Sequence, residues 1–303
     1  DGPEVAAALA AAVDGDIVYF PKGTYLLTTW TVHSLTKDIT ILGDDREGAT
    51  IQGPNTSTDF IELGASGNLV IRNVGFNTWR SVAKGTSENA TYFEMDGCKV
   101  DTVVEGYSDS GGSDVGTIDR FYIHGCRFES CTGFPIQHRA VTKMVTIVNN
   151  EFDSCTGGGG VEVGYNGDET FVNEGFIISG NSFRDISNSG GSTWAVLTYG
   201  MNPVITNNTF HTITAASGDC ASIYTKSRGG TISDNVIYDG CNRDDSDESA
   251  IRCKGTARGS TGTPFGYEGI ISGNTIIFST PLTYRAIQVN HTDYIISNNA
   301  IDG

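Results

Sequence analysis

The chain has 303 residues, including 39 Gly, 7 Pro and 3 Met, so it is long enough for one large core and rich in turn-forming residues. Its 19 Lys and Arg stand against 36 Asp and Glu, and the formal net charge of −17 repels nucleic acid and anionic membranes. No apolar run approaches the roughly 20 residues of a membrane span, and no basic leader opens the sequence. Composition therefore predicts one all-β domain over residues 1–303, with no nucleic-acid partner and no membrane span.

From Phe76 to Ile301 an apolar position recurs every 24 to 39 residues, most visibly within the pattern Ile-x-x-Asn-x-Phe. IVNNEF, ISGNSF and ITNNTF carry it at residues 147–152, 178–183 and 205–210. The separations share a minimum length and exceed it by different numbers of residues. This pattern indicates coils of constant circumference joined by loops of variable length. Because each repeat holds short alternating apolar segments without helical periodicity, we predict a solenoid of strands with about eleven coils.

The Asn of this pattern predicts a buried column of hydrogen-bonded side chains, with no catalytic role. Its members are Asn150, Asn181, Asn208, Asn235, Asn274 and Asn299. Cys98 and Cys126 fall in the same column, and Cys131 and Cys155 fall at an inward position. Seven Cys without a Cys-x-x-Cys motif indicate neither a disulfide framework nor a zinc site. We expect them to fill the interior, with a disulfide between stacked neighbours as the alternative.

The strand before each Asn segment presents every second side chain to the outside. One outward column reads Gln137, Glu162, Leu197, Tyr224, Arg252 and Gln288, and the next reads Arg139, Gly164, Tyr199, Lys226, Lys254 and Asn290. Three cations and two tyrosines therefore share one face, about 5 Å apart per coil. Since such close like charges repel and folding does not require them, we interpret this face as a ligand site. The alternative is a set of solvated charges on an exposed sheet.

Two acidic loops suit Ca²⁺ by their oxygen ligands, NGDET at residues 166–170 and NRDDSDES at residues 242–249. Neither has EF-hand spacing, so we interpret both as solvated loop acids, with a Ca²⁺ site as the alternative. The five His show no metal-ligand spacing. Ca²⁺ is thus the one cofactor for which the sequence offers candidate ligands, and the sequence establishes no cofactor.

With this repeat the chain resembles the right-handed parallel β-helix proteins of the pectin-lyase-like superfamily. VAAALAAAVDGDIVYFPKGTYLL, at residues 5–27, is similar to their opening of a capping helix, a first strand and a turn, and DITILGD, at residues 38–44, to their second coil. The resemblance implies an all-β, single-stranded right-handed parallel β-helix with an N-terminal cap over residues 1–15. The C-terminal ISNNAIDG has no capping pattern, so we expect further chain or another subunit, such as that of a homotrimer, to cover this end.

The segment IYTKS, at residues 223–227, resembles the Ile-Ser-Val-Lys-Ser of the catalytic coil in the chondroitinase B and alginate lyase group. The resemblance implies that Lys226 is the Brønsted base. In that group the next coil places a charge-stabilising Arg in the same outward column as the base. Here Lys254 occupies that position and Arg252 lies two residues earlier, so both are candidates for the role. Its two calcium-binding Glu correspond to Asp219 and Ala221, of which only Asp219 retains a carboxylate.

These residue types suit cleavage of an acidic polysaccharide by β-elimination. Arg252 or Lys254 would neutralise a uronate carboxylate, Lys226 would remove the neighbouring proton, and Tyr199 or Tyr224 would protonate the leaving oxygen. The candidates for substrate binding are Arg139, Gln137, Glu162 and Gln288. Asp219 is a candidate for metal binding.

Two alternatives remain open at this point. A glycoside hydrolase would need two carboxyl groups, here Glu162 and Asp219, about 10 Å apart across two coils. A phage or virus tailspike or a cell-surface adhesin would use the same scaffold with a glycan-binding, hydrolytic or purely structural role. Each of these functions predicts an extracellular, cell-surface or virion-associated protein.

Overall fold

The computed structural model of the chain describes residues 1–64, 67–86, 90–109, 117–164, 175–227, 229–241, 248–254, 269–279, 285–290 and 294–303. The acidic loop 166–170 and residues 242–247 of the second acidic loop lie outside the described residues, so their role in binding Ca²⁺ stays a prediction.

A single α-helix, α1 (Gly2–Ala11), stands at the N-terminus of the described chain. Its Ala-rich sequence has high helix propensity, and Pro3 occupies its first turn, where a missing N–H costs nothing. Val5 and Leu9, four residues apart on one face, are buried in the same core as the first strands. The helix predicted within residues 1–15 is therefore confirmed. No helix in the described ranges is long and apolar enough to cross a bilayer.

The strands of the described residues belong to three parallel sheets, in which neighbouring strands are three positions apart along the chain. Three consecutive strands thus make one coil, and the coils stack along one axis. Among the described residues, two sheets have eleven strands and the third has ten. The predicted parallel β-helix is confirmed.

The first sheet consists of β1 (Asp16–Phe20), β4 (Ile39–Gly43), β7 (Leu69–Arg72), β10 (Ala90–Asp96), β13 (Thr117–His124), β16 (Val141–Val148), β19 (Ile177–Ser179), β22 (Val204–Thr206), β25 (Gly230–Ser233), β28 (Gly269–Ser272) and β31 (Tyr294–Ser297). The second sheet consists of β2 (Gly23–Leu26), β5 (Ala49–Gln52), β8 (Gly75–Asn77), β11 (Lys99–Asp101), β14 (Arg127–Glu129), β17 (Glu151–Asp153), β20 (Ser182–Asn188), β23 (Thr209–Ala215), β26 (Val236–Tyr238), β29 (Thr275–Ile277) and β32 (Ala300–Asp302). The third sheet consists of β3 (His33–Leu35), β6 (Ile61–Leu63), β9 (Ser81–Gly85), β12 (Glu105–Asp109), β15 (Ile136–His138), β18 (Gly159–Val163), β21 (Thr193–Thr198), β24 (Cys220–Thr225), β27 (Ser249–Cys253) and β30 (Arg285–Val289).

Identical residues stack inside the coils. The rings of Phe128, Phe152, Phe183 and Phe210 lie 4.6 to 5.0 Å apart and nearly parallel. Burying a column of aromatic side chains supplies much of the hydrophobic driving force for a solenoid, because each coil covers the one before it. The recurring Phe of the sequence repeat is therefore a core position.

The Asn column forms the predicted hydrogen-bonded ladder. Asn181 Nδ2 donates to Asn208 Oδ1 at 2.9 Å, and the same contact repeats from Asn150 to Asn299. The residue before each ladder Asn has a positive φ, and in all six coils it is Asn, Asp or Gly. These residue types tolerate the left-handed conformation, which turns the chain from the first sheet into the second. The turn chemistry thus explains why the repeat is conspicuous in the sequence.

All seven cysteines are buried, and none of them forms a disulfide. The backbone N–H of Cys98 donates to Cys126 Sγ at 3.4 Å, and that of Cys126 donates to Asn150 Oδ1 at 2.9 Å, so both cysteines continue the Asn column, as their alignment predicts. The interior role is confirmed, and the alternative of a disulfide between stacked neighbours is not realised.

Candidate functional site

The candidate face is the outer surface of the third sheet, from β15 to β30. Gln137 pairs with Glu162, Glu162 with Leu197, Leu197 with Tyr224, Tyr224 with Arg252, and Arg252 with Gln288. Backbone hydrogen bonds one residue beyond the paired segments continue the register, as from Lys226 N–H to Thr198 O and from Lys254 N–H to Thr225 O. Both outward columns predicted from the sequence are therefore aligned coil by coil.

Lys226 lies between two aromatic rings. Its Nζ is 5.1 Å from the centre of the Tyr199 ring and 5.3 Å from that of Tyr224, within the range of cation–π contacts. The side chain is half-buried. Burial lowers the pKa of Lys226, the positive charge of Lys254 lowers it further, and Asp219 partly opposes this. The free amine, the form that accepts a proton, is thereby favoured.

Arg252 is held more tightly than Lys226. It is only 2% exposed, its Nη1 lies 3.1 Å from Asp219 Oδ1, and its Cζ lies 5.0 Å above the Tyr224 ring. Lys254, in contrast, is exposed, and it has no ion pair with any residue that the structure describes. The sequence left the carboxylate-binding role open between these two cations. In the structure Arg252 is held in an ion pair with Asp219, whereas Lys254 faces solvent.

The two tyrosines also differ. Tyr199 is 8% exposed, and burial, followed by the negative charge of Glu162, raises its pKa. Tyr224 is 1% exposed and lies beneath Lys226, packed against Trp194 with 5.8 Å between ring centres. Tyr199 is thus the phenol that a ligand on this face reaches more readily.

An apolar cluster supports these polar groups from outside the solenoid core. It consists of Leu197, Tyr199, Ala221 and Tyr224, with Trp194 packed against them. Sequence reasoning missed Trp194, because alternation counted back from Val196 places it inside. Both Ala195 and Val196 are buried, so strict alternation fails at this point of β21. A Trp beside a column of tyrosines was the only available signal.

Glu162 is clamped by donors from the preceding coil. Its Oε2 accepts hydrogen bonds from Gln137 Nε2 at 2.8 Å and Arg139 Nη2 at 3.0 Å, and its Oε1 accepts one from Arg139 Nε at 3.2 Å. The carboxylate is nearly buried at 5% exposure. Three of the predicted substrate-binding residues thus form one network, and Gln288 lies apart from it, beside Arg252.

The residues around Asp219 do not fit the calcium site that the resemblance implies. Asp219 is paired with Arg252, and the methyl group of Ala221 is buried among Trp194 and Tyr224, where a second carboxylate would be needed. A cation already occupies the charge-neutralising position, so Ca²⁺ would have one carboxylate and a repelling guanidinium. We derive no chemical step through a metal.

A second charged group, which sequence reasoning missed, lies on the outer face of the first sheet. Ligand atoms of Glu94, Asp96 and His124 lie within 4.8 Å of one another. Arg72 donates to Glu94 Oε1 from Nε at 2.9 Å and from Nη2 at 2.7 Å, and Tyr92 donates to Oε2 of the same carboxylate. This group is therefore an ion-pair network whose central carboxylate already has its cation. Its members come from neighbouring coils, so only the register of β7, β10 and β13 could have revealed it.

No protein-family profile matches the sequence, and no curated protein sequence is significantly similar to it. Solved structures do resemble the fold. A PL6 alginate lyase in complex with a trisaccharide is 16% identical with a TM-score of 0.56, over 99% of this chain and 57% of its own. The PL6 family alginate lyase AlyGC is 13% identical with a TM-score of 0.52, over 99% and 50% of the two chains. An alginate lyase from Paenibacillus sp. str. FPU-7 is 14% identical with a TM-score of 0.50, over 99% and 95%.

The chain thus spans about half the length of the first two structures. At these identities the likeness concerns the fold alone. It confirms the resemblance to the β-helices of alginate lyases, and the structural neighbours are enzymes that degrade polysaccharides.

Proposed function

We propose that the protein binds an acidic, uronate-containing polysaccharide on the outer face of the third sheet and cleaves it by β-elimination. The observation that carries this proposal is the half-buried amine of Lys226, 5.1 Å from the Tyr199 ring and with a lowered pKa. A lysine in this setting is suited to act as a base, and an adjacent phenol is suited to act as an acid. The alginate lyase fold of the neighbouring structures supports the same reaction class.

The reaction begins at the carbon next to the uronate carboxylate. The C5 proton becomes acidic only when the developing negative charge on that carboxylate is neutralised. We assign this role to Lys254, because it is exposed and unpaired among the described residues, whereas Arg252 is engaged with Asp219. Arg252 then acts as a positioning residue: it holds Tyr224 and adds positive charge beside Lys226.

Proton transfer and bond cleavage follow at two groups one coil apart. The free amine of Lys226 takes the C5 proton, the electron pair of the C5–H bond forms the C4–C5 double bond, and the C4–O bond breaks. Tyr199 donates its phenolic proton to the leaving oxygen. A proton returns from Lys226 to Tyr199 through solvent, which restores both groups.

The hydrolytic alternative is less well supported. Glu162 is bound to Arg139 and Gln137, and Asp219 is bound to Arg252. A hydrolase would need two carboxyl groups that are free to reach the substrate, whereas each of these is held in an ion pair with an arginine. The extracellular or surface location of such a protein is part of the same proposal, because its polymeric substrate lies outside cells.

The test is digestion of alginate, pectate and chondroitin-type glycans, followed by ultraviolet absorbance of the new conjugated double bond. The unchanged protein should generate this absorbance on at least one substrate, and Lys226→Ala should reduce the rate by about 10²- to 10⁴-fold. Lys143→Ala is the matched control, since Lys143 is an exposed lysine paired with Asp119 on the first sheet. Saccharide release without unsaturation would instead indicate hydrolysis, and no turnover on the whole panel would favour a scaffold or adhesin.

A further inference from the structure

Glu162 is an unexpected residue on a face that is proposed to bind a polyanion. Its neighbours in the same outward column, Gln137 and Leu197, are uncharged, so stacking of the sheet does not require a carboxylate there. Its three hydrogen-bond donors all come from Gln137 and Arg139, on the side away from Tyr199. These contacts fix the negative charge in place without contributing a donor from the Tyr199 side.

Tyr199 lies in the coil after Glu162, diagonal to it in the strand register and opposite a gap in the second outward column. The residue opposite Tyr199 on β18 is Gly164, at φ +87°, where a Cβ atom would lie 2.9 Å from the Tyr199 Cβ and 2.4 Å from its carbonyl oxygen. A side chain therefore cannot occupy that position without a clash. No side chain of the second outward column therefore lies between Tyr199 and the ion pair that Glu162 forms with Arg139.

The charged and titratable groups around Tyr199 belong to the strands β15, β18 and β24 or directly follow them. Glu162 lies on β18, and Arg139 follows β15 on the far side of Glu162. Tyr224 and Lys226 lie on and just after β24, on the opposite side of Tyr199. Glu162 is the one anion among these groups.

Acid–base chemistry between a lysine and a tyrosine has an inherent difficulty. In water the tyrosine pKa of about 10 lies slightly below the lysine pKa of about 10.4. A free amine and a protonated phenol therefore coexist in only a minor fraction of molecules at any pH, although the elimination needs both at once. The site must therefore bring the pKa of the lysine below the pKa of the tyrosine.

We propose, building on the elimination described above, that Glu162 is a positioning residue that keeps Tyr199 protonated at a pH at which Lys226 is the free amine. Burial and then Glu162 raise the pKa of Tyr199, and Arg139 opposes them less strongly. Burial and then Lys254 lower the pKa of Lys226, on which Glu162 has only a minor opposing influence. Glu162 thus acts mainly on the acid and Lys254 on the base, which separates the two groups in the required direction.

The experiment that tests this inference measures Tyr199 without relying on turnover. Protein labelled with 3-fluorotyrosine, whose fluorine brings phenol ionisation into an accessible pH range, is titrated by ¹⁹F NMR, and Tyr199→Phe identifies the resonance. In Glu162→Gln, which keeps the size of the side chain, the Tyr199 midpoint should fall by about one pH unit, since a unit charge at a diagonal neighbour is removed. An unchanged midpoint would overturn the proposal.

Two matched variants separate electrostatics from loosening of the fold. Arg139→Gln keeps the carboxylate and removes the cation, so the Tyr199 midpoint should rise; a general loosening would shift both variants in the same direction and would refute the proposal. Gln137→Ala keeps both charges and should leave the midpoint unchanged. If the unchanged protein cleaves no uronate polymer, the elimination is contradicted, while the fluorine titration still decides whether Glu162 controls Tyr199.

Discussion

The amine of Lys226 and the ring of Tyr199 lie 5.1 Å apart on adjacent coils, and the pKa shifts of the two side chains are opposite in sign. The Lys226 backbone N–H donates to Thr198 O at 2.8 Å, so the sheet itself sets the distance between the proposed base and the proposed acid. Neither residue depends on a loop for its position.

The pH dependence of cleavage should follow from these shifts. Lys226 has a lowered pKa, so kcat/KM should rise as the pH increases through that value and the amine loses its proton. The rate should fall again only when Tyr199 ionises, which its raised pKa postpones. A rate that declines steadily from neutral to alkaline pH would contradict these assignments.

Lys226→Arg should be as damaging as Lys226→Ala. A guanidinium keeps the positive charge and can stack on Tyr199 and Tyr224, but it does not lose its proton in the accessible pH range. The expected loss in kcat is about 10²- to 10⁴-fold, with glycan binding retained. Binding is measured by calorimetry with a uronate oligosaccharide, and substantial activity in the Arg variant would exclude Lys226 as the base.

Lys254→Ala and Arg252→Ala should affect different quantities. Lys254 is exposed, so its loss should leave the free energy of unfolding within about 0.5 kcal/mol while it raises KM and lowers kcat. Arg252 is buried beside Asp219 and Tyr224, so its loss should cost about 1–3 kcal/mol of unfolding free energy. Urea titrations and kinetics of both variants check this, and a stable Arg252→Ala with a purely kinetic defect would reverse the two roles.

Cleavage should not depend on calcium. Asp219 is paired with Arg252 and Ala221 supplies no ligand, so removal of divalent ions should leave the rate unchanged. The measurement is the rate before and after treatment with a chelator, with a calcium titration by calorimetry as the check that does not need activity. A chelator-sensitive rate restored by Ca²⁺ would show that the ion pair does not replace the metal.

The Asn ladder should dominate stability in the middle of the solenoid. Asn208 Nδ2 donates to Ile178 O at 2.9 Å and to Asn235 Oδ1 at 3.0 Å, and its own Oδ1 accepts from Asn181. Asn208→Ala leaves several buried polar groups unpaired, so it should cost about 3 kcal/mol or more. Asn299→Ala, at the half-buried end of the column, is the control and should cost clearly less in a urea titration.

The fold could be predicted from the sequence because its determinants are local and periodic. In each repeat the Asn, Asp or Gly before the ladder Asn makes the turn, and the Phe or Ile two residues after it continues the apolar column. The columns of the candidate site followed from the same register. The partners of its side chains did not, because Asp219 could have paired with Lys226 or Lys254 as readily as with Arg252. That choice depends on rotamers and burial, which alternation alone does not determine.

The coil-by-coil placement of the candidate site also limits how such a site can change. Tyr199, Lys226 and Lys254 each lie in a different coil, so inserting or deleting residues in the connecting loops leaves their separations unchanged. Inserting a whole coil would move two of them apart by one strand spacing of about 4.8 Å, and smaller steps are excluded by the hydrogen bonding of the sheet. Loop lengths in this molecule can therefore drift one residue at a time, whereas the geometry of the candidate site can evolve only in discrete steps.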